Sequence, residues 1–338
     1  MSTLSIIANW KKNIFKSLYW LEGDEEFFID EVMDYAEKKI LSQADAEFNL
    51  TTFYGKDANW ADIINACRRY PMFAERQVVL LKEAQQMKDI DKLDAYIEHP
   101  LASTVFVVSY KGKTLDGRGR LSKMIKKNGE VFLSKKIYEN QLPAWTNGYL
   151  QAQGFQITPR ALTLLVDHVG NDLSRIANEI NKLSMNLGKE KNITEDDIEK
   201  YIGVSKEYNI FELQHAFSKK DHAKAIHIIQ YFEANPKVVP IQLVLPSLYG
   251  YFTKIMAIYQ MPDKSEGELK PLFYNNPFLV EQAMDTIRNY SYSETEQAIL
   301  LLHDYNLKSI GINNYGTSHG SLMKELSYKI IKGGKMNV

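Results

Sequence analysis

Residues 18–26 of the chain read LYWLEGDEE, an apolar run that ends in a glycine and three acidic residues. The run at 18–21 has the length and composition of a buried strand, and Gly23 is typical of the turn that ends one. A helical pattern follows at 24–40, where Phe28 and Val32 recur on one face. The stretch therefore predicts a strand, a tight turn and a helix, the first unit of a parallel α/β sheet.

The same alternation continues to about residue 135. Further strands are predicted at 48–53, 77–81, 104–109 and 130–133, and helices at 60–69, 91–97 and 116–127. Parallel strands joined by crossover helices account for this order. Residues 1–137 are therefore expected to form a doubly wound α/β domain.

The pattern changes near residue 138, after which no convincing strand pattern occurs. Three helices are predicted at 161–169, 171–183 and 198–202. The third of them begins with a capping box, in which Thr194 is followed by Asp197 three residues later. We expect residues 138–205 to form a small three-helix domain resembling a lid.

Residues 206–338 are expected to be all-helical. Helices are predicted at 210–217, 223–232, 277–290, 293–307 and from residue 321, with a long apolar helix from residue 241 that Pro246 breaks. Ser293 and Glu296 are predicted to form a capping box at the start of one of these helices. The apolar content of this region suits packing of helix against helix.

Composition sets limits on the class of protein. A chain of 338 residues suggests two or three domains, and 45% hydrophobic with 25% charged residues is an ordinary globular composition. The single cysteine, Cys67, permits no internal disulfide, which fits a reducing compartment. We expect a cytoplasmic protein outside the membrane, because no secretory signal pattern is present and the apolar stretch at 241–261 is interrupted by Pro246 and Lys254. A net charge of −1 provides no overall attraction for nucleic acid.

The turn after the first strand lacks the residues of a phosphate-binding loop. Such a loop needs the pattern GxxxxGK[ST], so that backbone N–H groups and a lysine surround the phosphates and a hydroxyl reaches magnesium. Counted from Gly23, the last three positions are Phe28, Ile29 and Asp30. The acidic residues at 24–26 would also repel a triphosphate, and their main explanation is that they stabilise the start of a helix. No nucleotide cofactor is expected.

Other motif matches are weak. Gly112-Lys113-Thr114 follows a strand, but Val107 occupies the position of the leading glycine. The pattern at 316–320 matches GxSxG, yet it lies between two helices, and no acid and histidine follow it in the order of a catalytic triad. The histidines show no zinc-ligand spacing. No catalytic residue, cofactor or metal site is predicted.

Two stretches stand out as candidate binding sites. Tyr70, Pro71, Met72 and Phe73 follow a helix that the proline ends, so that Met72 and Phe73 lie on a short connection where an adaptable and an aromatic side chain could anchor a partner. The alternative is that the pair folds back onto the edges of the strands.

The second stretch is basic. Residues 111–136 contain nine Lys or Arg residues against two acidic residues. The basic residues are Lys111, Lys113, Arg118, Arg120, Lys123, Lys126, Lys127, Lys135 and Lys136. Such a patch could follow a phosphate backbone, or it could be a solvated helix face.

Taken together, these segments resemble the delta-subunit family of the bacterial DNA polymerase III clamp loader. The resemblance covers nearly the whole chain and rests on the order and spacing of several segments, since no single motif is diagnostic. The segments are LYWLEGD at 18–24, RYPMFAERQVVLL at 69–81, VFVVS at 105–109, GNDLSRIANEINKL at 170–183, LHDYNLK at 302–308 and NYG at 314–316.

The resemblance implies an AAA+-like domain at 1–137, a three-helix lid at 138–205 and a helical collar at 206–338 that joins a ring of subunits. It implies no ATP binding and no catalysis by this chain. Its partners would be the sliding clamp (the beta subunit), the gamma/tau and delta prime subunits and primer-template DNA. Met72 and Phe73 would wedge into the clamp, shaped by Tyr70 and Pro71, although methionine stands where the family usually has a leucine-like residue.

Tyr315 resembles an aromatic residue that meets DNA at the primer-template junction. It could equally be a packing residue of the collar. Two other functions stay open on sequence grounds: an active AAA+ ATPase with an unorthodox phosphate loop, and a DNA-binding replication factor that uses the basic stretch, with Lys111, Lys113, Arg118 and Arg120 as candidate contacts.

Overall fold

The computed structural model describes residues 3–188, 190–274 and 276–332. The chain divides into two compact units, Met1–Ile137 and Tyr138–Val338. The further division of the second unit at residue 205 stays a prediction.

Parallel strands form the sheet of the first unit. They are β1 (Leu18–Gly23), β2 (Leu50–Tyr54), β3 (Gln77–Lys82), β4 (Thr104–Lys111) and β5 (Glu130–Ser134). Their order across the sheet is β2-β3-β4-β1-β5, and each neighbouring pair is parallel. The predicted parallel α/β fold is confirmed, and the carboxyl ends of the strands lie at one edge of the sheet, where the connecting segments meet.

Helices cover both faces of this sheet. They are α1 (Thr3–Lys11), α2 (Glu26–Lys39), α3 (Gln43–Asn49), α4 (Trp60–Arg68), α5 (Asp94–Ile97) and α6 (Arg120–Asn128), with 3-10 turns at Ala84–Gln86 and Ile90–Leu93. Alternation along β1 separates two cores, because successive side chains of a strand point to opposite faces. Trp20 packs in the core with residues of α4, α5 and α6, whereas Tyr19 packs with residues of α1 and α2.

Some local predictions for the first unit are wrong. The patterns do not indicate α1 or α3, and Phe48, expected in a strand, lies in α3. The side chain of Ser42 caps α3 by accepting a hydrogen bond from the Asp45 N–H at 3.1 Å, so the helix uses residues that look like the start of a strand. Helix α6 begins four residues later than expected because the chain first turns, with the Gly119 N–H bonded to the Asp116 carbonyl.

The second unit is built mainly of helices. They are α7 (Leu142–Ala152), α8 (Pro159–Val169), α9 (Leu173–Leu187), α10 (Glu195–Ile202), α11 (Ile210–Ser218), α12 (His222–Ala234), α13 (Ile241–Tyr259), α14 (Glu266–Leu269), α15 (Pro277–Asn289), α16 (Tyr292–Ser309) and α17 (His319–Lys332), with 3-10 turns at Glu139–Gln141 and Lys270–Phe273. Two short parallel strands, β6 (Gln156–Ile157) and β7 (Asn192–Ile193), pair with each other. The expectation of no strand beyond residue 138 is therefore wrong, and α7 is also unpredicted.

The capping boxes were predicted with mixed success. Thr194 and Asp197 form the expected box at the start of α10. At α16 the box uses Ser291 and Glu294 instead of Ser293 and Glu296, although both pairs have the required spacing. Ser291 is extended and follows Tyr290, the C-cap of α15, so α16 begins at Tyr292 and its N-cap lies two residues earlier than expected.

Helix α13 is continuous through Pro246, so the predicted break is wrong. A proline inside a helix removes one hydrogen bond and costs roughly 3 kcal/mol. Here Val244 and Leu245 before the proline and Leu248 and Phe252 after it are buried in the same core, and this packing outweighs the cost. Within the described residues, α13 is the one helix long and apolar enough to span a membrane by length and composition, and its buried side chains belong to the core of the second unit.

Candidate functional site

The turn after β1 is tied to the strands on either side of it. Gly23 ends the strand with a φ of +129°, and a Cβ placed on it would lie 2.0 Å from the backbone oxygen of Ser134. The Asp24 N–H donates to that same oxygen at 3.0 Å, and the Gly23 N–H donates to the Lys113 carbonyl at 3.2 Å. The glycine is therefore required for the close approach of β5, independently of any phosphate.

Helix α2 begins at Glu26, as the sequence predicts to within two residues. The backbone carbonyl of Glu25, at the helix start, accepts a hydrogen bond of 2.6 Å from the Ser134 hydroxyl. Ile29, at the position of the phosphate-loop lysine, is completely buried in the core between the helix and the sheet. No cation can be presented from this position.

Lys111, at the end of β4 and in register with Gly23, supplies a cation to this edge of the sheet. Its Nζ lies 2.7 Å from an Asp30 carboxylate oxygen, 3.2 Å from Glu83 and 3.9 Å from Glu26. Burial alone lowers the pKa of Lys111, but the hydrogen bonds and charges of Asp30 and Glu83 outweigh it and raise the pKa. The ammonium, whose side chain is 13% exposed, is thus held by three carboxylates rather than offered to a ligand.

The other basic candidates are more accessible. The Nζ of Lys113 lies 5.4 Å from the centroid of the Tyr110 ring. The side chain of Arg118 is 95% exposed, 3.6 Å from Asp116, and that of Arg120 lies 3.3 Å from Asp94. Within the 111–136 stretch, all of which the structure describes, five more lysines are exposed and lack an ion pair: Lys123, Lys126, Lys127, Lys135 and Lys136. A basic surface therefore exists, but Lys111 is the member least suited to it.

The loop between α4 and β3 presents aromatic and apolar side chains to solvent. Phe73 is 97% exposed, Tyr70 77% and Met72 52%, while Pro71 is half-buried. Phe73 also has a φ of +58°, a conformation that is an outlier for a bulky side chain. In this conformation the pair does not fold back onto the strands. Strained backbone of this kind persists only where surrounding structure holds it.

Two buried amides hold this loop from beneath. The side chain of Asn49 accepts a hydrogen bond from the Met72 N–H at 2.7 Å and donates one to the Met72 carbonyl at 2.9 Å. The Gln77 amide nitrogen lies 2.5 Å from the Arg69 carbonyl and 2.9 Å from the hydroxyl of Thr104. Sequence reasoning missed both residues, because a polar residue next to a strand carries no sign of the distant backbone that it binds.

Charged side chains fix the flanks of the same loop. The Arg69 guanidinium donates to the Thr51 hydroxyl at 2.9 Å, and the Arg76 guanidinium lies 4.1 Å from the centroid of the Phe15 ring. The loop is therefore anchored at both ends and in the middle, and its tip protrudes. A rigid apolar tip of this kind can enter a hydrophobic pocket at little cost in conformational entropy.

Tyr315 lies in the second unit, in the connection between α16 and α17, and its side chain is fully exposed. The Asn314 side chain shapes this connection by donating to the Lys308 and Thr317 carbonyls and accepting from the Thr317 N–H. Gly316 follows with a φ of +100°. The ring does not pack inside the helical unit, so it is available for stacking.

The motif matches that appeared weak have structural explanations. Gly112 makes a turn with a φ of +70°, and its N–H donates to the Gly23 carbonyl at 2.9 Å. Ser318 accepts a hydrogen bond from the Ser321 N–H near the start of α17. Within residues 3–188, 190–274 and 276–332, no three His, Cys, Asp or Glu side chains are placed to share a metal ion.

The known proteins to which this chain is similar include several that are described as DNA polymerase III delta subunits. Residues 19–135 match the family model for DNA polymerase III, delta subunit. The chain is 27% identical over 314 residues to DNA polymerase III subunit delta of Bacillus subtilis, and this alignment covers 88% of this chain and 90% of that protein. A probable DNA polymerase III subunit delta of Aquifex aeolicus is 19% identical over 300 residues, 84% of this chain and 83% of that protein.

A solved structure agrees with these sequence matches. The Bacillus subtilis DNA clamp loader delta protein aligns with a TM-score of 0.55 and 22% identity, over 98% of this chain and 99% of that one. The two chains share a fold in which a parallel α/β sheet unit is followed by helical structure. The chain is similar to the delta subunit of DNA polymerase III over most of its length, and the resemblance inferred from its sequence motifs is confirmed.

Proposed function

We propose that this chain is the clamp-loader subunit that binds the sliding clamp and opens it during DNA replication. The observation that supports this most directly is Phe73, which a braced loop holds fully exposed in a strained conformation. An aromatic side chain at a rigid tip has the properties of an interface hot spot. Met72 adds an adaptable apolar contact beside it, with Tyr70 and Pro71 shaping the base of the loop.

The chain is proposed to act without binding ATP and without catalytic activity of its own, as a non-catalytic subunit of a DNA-directed DNA polymerase holoenzyme in the cytoplasm. Burial of Ile29 and the pairing of Lys111 with three carboxylates support this. Magnesium-dependent ATP binding at micromolar concentration, measured by calorimetry on the full chain, would contradict it.

Neighbouring subunits would then supply the energy. ATP binding by gamma/tau subunits, in a ring that includes delta prime, would make the 70–73 loop accessible to the clamp, and hydrolysis on DNA would release it. The lid at 138–205 and the collar at 206–338 would join this chain to that ring. Tyr315 would stack on primer-template DNA, and Lys111, Lys113, Arg118 and Arg120 are the further candidates for DNA contact, with Lys111 the weakest because its charge is already paired.

The test is a mixture of the full chain with a purified bacterial sliding clamp on a sizing column, followed by a binding titration. Replacing Met72 and Phe73 together with alanine should weaken clamp binding at least about 100-fold, the effect of losing two hot-spot side chains. The fold should persist, because both side chains are exposed. Tyr138→Ala removes an aromatic side chain that is 70% exposed elsewhere and should leave clamp binding unchanged.

An unchanged clamp affinity in the double variant would contradict the proposal. A second candidate function, a DNA-binding replication factor, is favoured by the five exposed lysines without ion pairs in the described stretch at 111–136. Strong DNA binding by the chain alone that weakens steeply with salt, together with no binding to the clamp, would support that function instead.

A further inference from the structure

Asn49 is the last residue of α3 and is almost completely buried, with 3% of its surface exposed. Its side-chain amide pairs with both backbone groups of a single residue, Met72, as a neighbouring strand would. A further hydrogen bond of 3.0 Å from its amide nitrogen to the Asp45 carbonyl fixes the orientation of the amide. This side chain therefore sets the backbone geometry of a surface loop that lies 23 residues further along the chain.

Phe73 follows Met72 directly and has little else to hold it. Its side chain is 97% exposed, so packing does not stabilise the positive φ of +58°. An unrestrained aromatic residue would leave that region for the extended or right-handed helical region, which would redirect the ring. The hydrogen bonds at Met72 are the nearest restraint on this conformation.

We propose that Asn49 is a positioning residue for clamp binding: it holds the 70–73 loop in the one conformation that directs Phe73 outward. The inference rests on the proposed function and deepens it. Asn49 is buried beneath the loop and does not itself reach the partner, so its contribution acts entirely through the conformation of Met72 and Phe73.

The consequence for affinity follows from the fraction of molecules in the binding-competent state. Apparent affinity falls in proportion to that fraction, so a loop released to sample other conformations binds more weakly with unchanged contacts. Losing both hydrogen bonds to Met72 should reduce clamp affinity by about tenfold. The loss should be smaller than that caused by removing the Phe73 ring.

The experiment compares Asn49→Ala with Asn59→Ala in the full chain. Asn59 is a matched control, because its side chain also accepts a backbone hydrogen bond, from Ala61 at the start of α4, and it makes no hydrogen bond to the 70–73 loop. Hydrogen exchange at the Met72 amide reports on the brace directly, and titration with the sliding clamp reports on affinity. Circular dichroism establishes that each variant is folded.

In Asn49→Ala we expect Met72 exchange to accelerate at least about tenfold while β3 amides stay protected, and clamp affinity to fall about tenfold. Asn59→Ala should change both by less than about twofold. If Asn49→Ala fails to fold, Asn49→Asp is tested in its place. The aspartate keeps an acceptor for the Met72 N–H and loses the donor to the Met72 carbonyl. Its clamp affinity should therefore lie between the affinity of the wild type and the affinity expected for the alanine variant.

Three outcomes separate the inference from the function it rests on. If hydrogen exchange at the Met72 amide is unchanged in Asn49→Ala, Asn49 does not hold the 70–73 loop, whatever the clamp affinity of that variant. Unchanged clamp affinity in Asn49→Ala, with affinity lost in Phe73→Ala, overturns the positioning role and leaves the proposed function standing. Unchanged affinity in Phe73→Ala overturns both.

Discussion

Two connections in the first unit make opposite use of unusual backbone geometry. The turn at 23–26 places Gly23 at a φ of +129° so that β5 can approach it, and the nearby charges at that edge pair with one another. The loop at 70–73 places Phe73 at a φ of +58° and leaves the ring in solvent. The first connection closes a site that could have held a phosphate, whereas the second presents a side chain. The second connection is therefore the one that we propose as the binding site.

The largest effect is expected at Gly23. Gly23→Ala should lower the free energy of unfolding of the first unit by at least about 3 kcal/mol, because the added Cβ meets backbone and the φ suits glycine alone. Urea unfolding followed by tryptophan fluorescence measures this, since three of the four tryptophans, Trp10, Trp20 and Trp60, lie in this unit.

Gly117→Ala is the control for that change. Its added Cβ would meet the Lys126 side chain at an ordinary distance of 3.6 Å, and we expect a change within about 0.5 kcal/mol. Equal effects at the two glycines would mean that the turn at 23–26 is not constrained by β5.

The next largest effect is expected at Lys111. Lys111→Met leaves Asp30, Glu83 and Glu26 without their cation and should cost about 2 kcal/mol of unfolding free energy at pH 7, less than a fully buried pair. Against the effect of burial, the carboxylates raise the pKa of Lys111 in the folded wild-type chain, so its contribution to stability is present at pH 7 and is lost as the pH rises through that raised pKa. The deficit of the variant should therefore shrink as the pH rises beyond the ordinary lysine pKa of about 10.4 and Lys111 of the wild type loses its proton.

Lys113→Met provides the comparison. Lys113 contacts the Tyr110 ring rather than a carboxylate, and its loss should cost no more than about 0.5 kcal/mol at either pH. A pH-independent loss at Lys111, equal to that at Lys113, would contradict the closed ion cluster.

The smallest effect has the opposite sign. Phe73→Gly should stabilise the first unit by about 1 kcal/mol relative to Phe73→Ala, because glycine adopts a positive φ without the steric cost. The alanine variant keeps that cost and loses only an exposed ring, so it should unfold within about 0.5 kcal/mol of the wild type. The same urea unfolding experiment measures both.

Clamp binding should be lost in both Phe73 variants, although one of them is more stable than the wild type. Such a result would show that the exposed ring is retained at the expense of stability. If glycine and alanine at this position give the same unfolding free energy, the strain assigned to Phe73 is absent.

The fold was largely predictable where local patterns agree with tertiary packing. The strand expected at 77–81 is Gln77–Lys82 in the structure, because its apolar residues are buried on both faces of the sheet. Predictions failed where packing overrides a local signal. Phe48 looks like a strand residue but belongs to a capped helix, and Pro246 does not interrupt a helix that is buried on both sides of it.

The candidate site was predictable in part. The residues Tyr70 to Phe73 stand out as an apolar connection after a proline, but their sequence does not distinguish a protruding tip from a plug against the sheet. The structure separates the two through the positive φ of Phe73 and the hydrogen bonds at Met72. Tyr315 likewise looked equally suited to packing or exposure until its surroundings were known.

By itself, the sequence determined the succession of strands in the sheet of the first unit and the loss of phosphate-loop chemistry after Gly23, because both depend on residue type at short, regular spacing. Only the tertiary structure decided that Lys111 is paired with carboxylates in an ion cluster and that the Asn49 side chain is hydrogen-bonded to the 70–73 loop. The contact between Lys111 and Asp30 spans 81 positions of the chain, and the contact between Asn49 and Met72 spans 23 positions. Their hydrogen-bond geometry exists only once the sheet has brought those distant segments together.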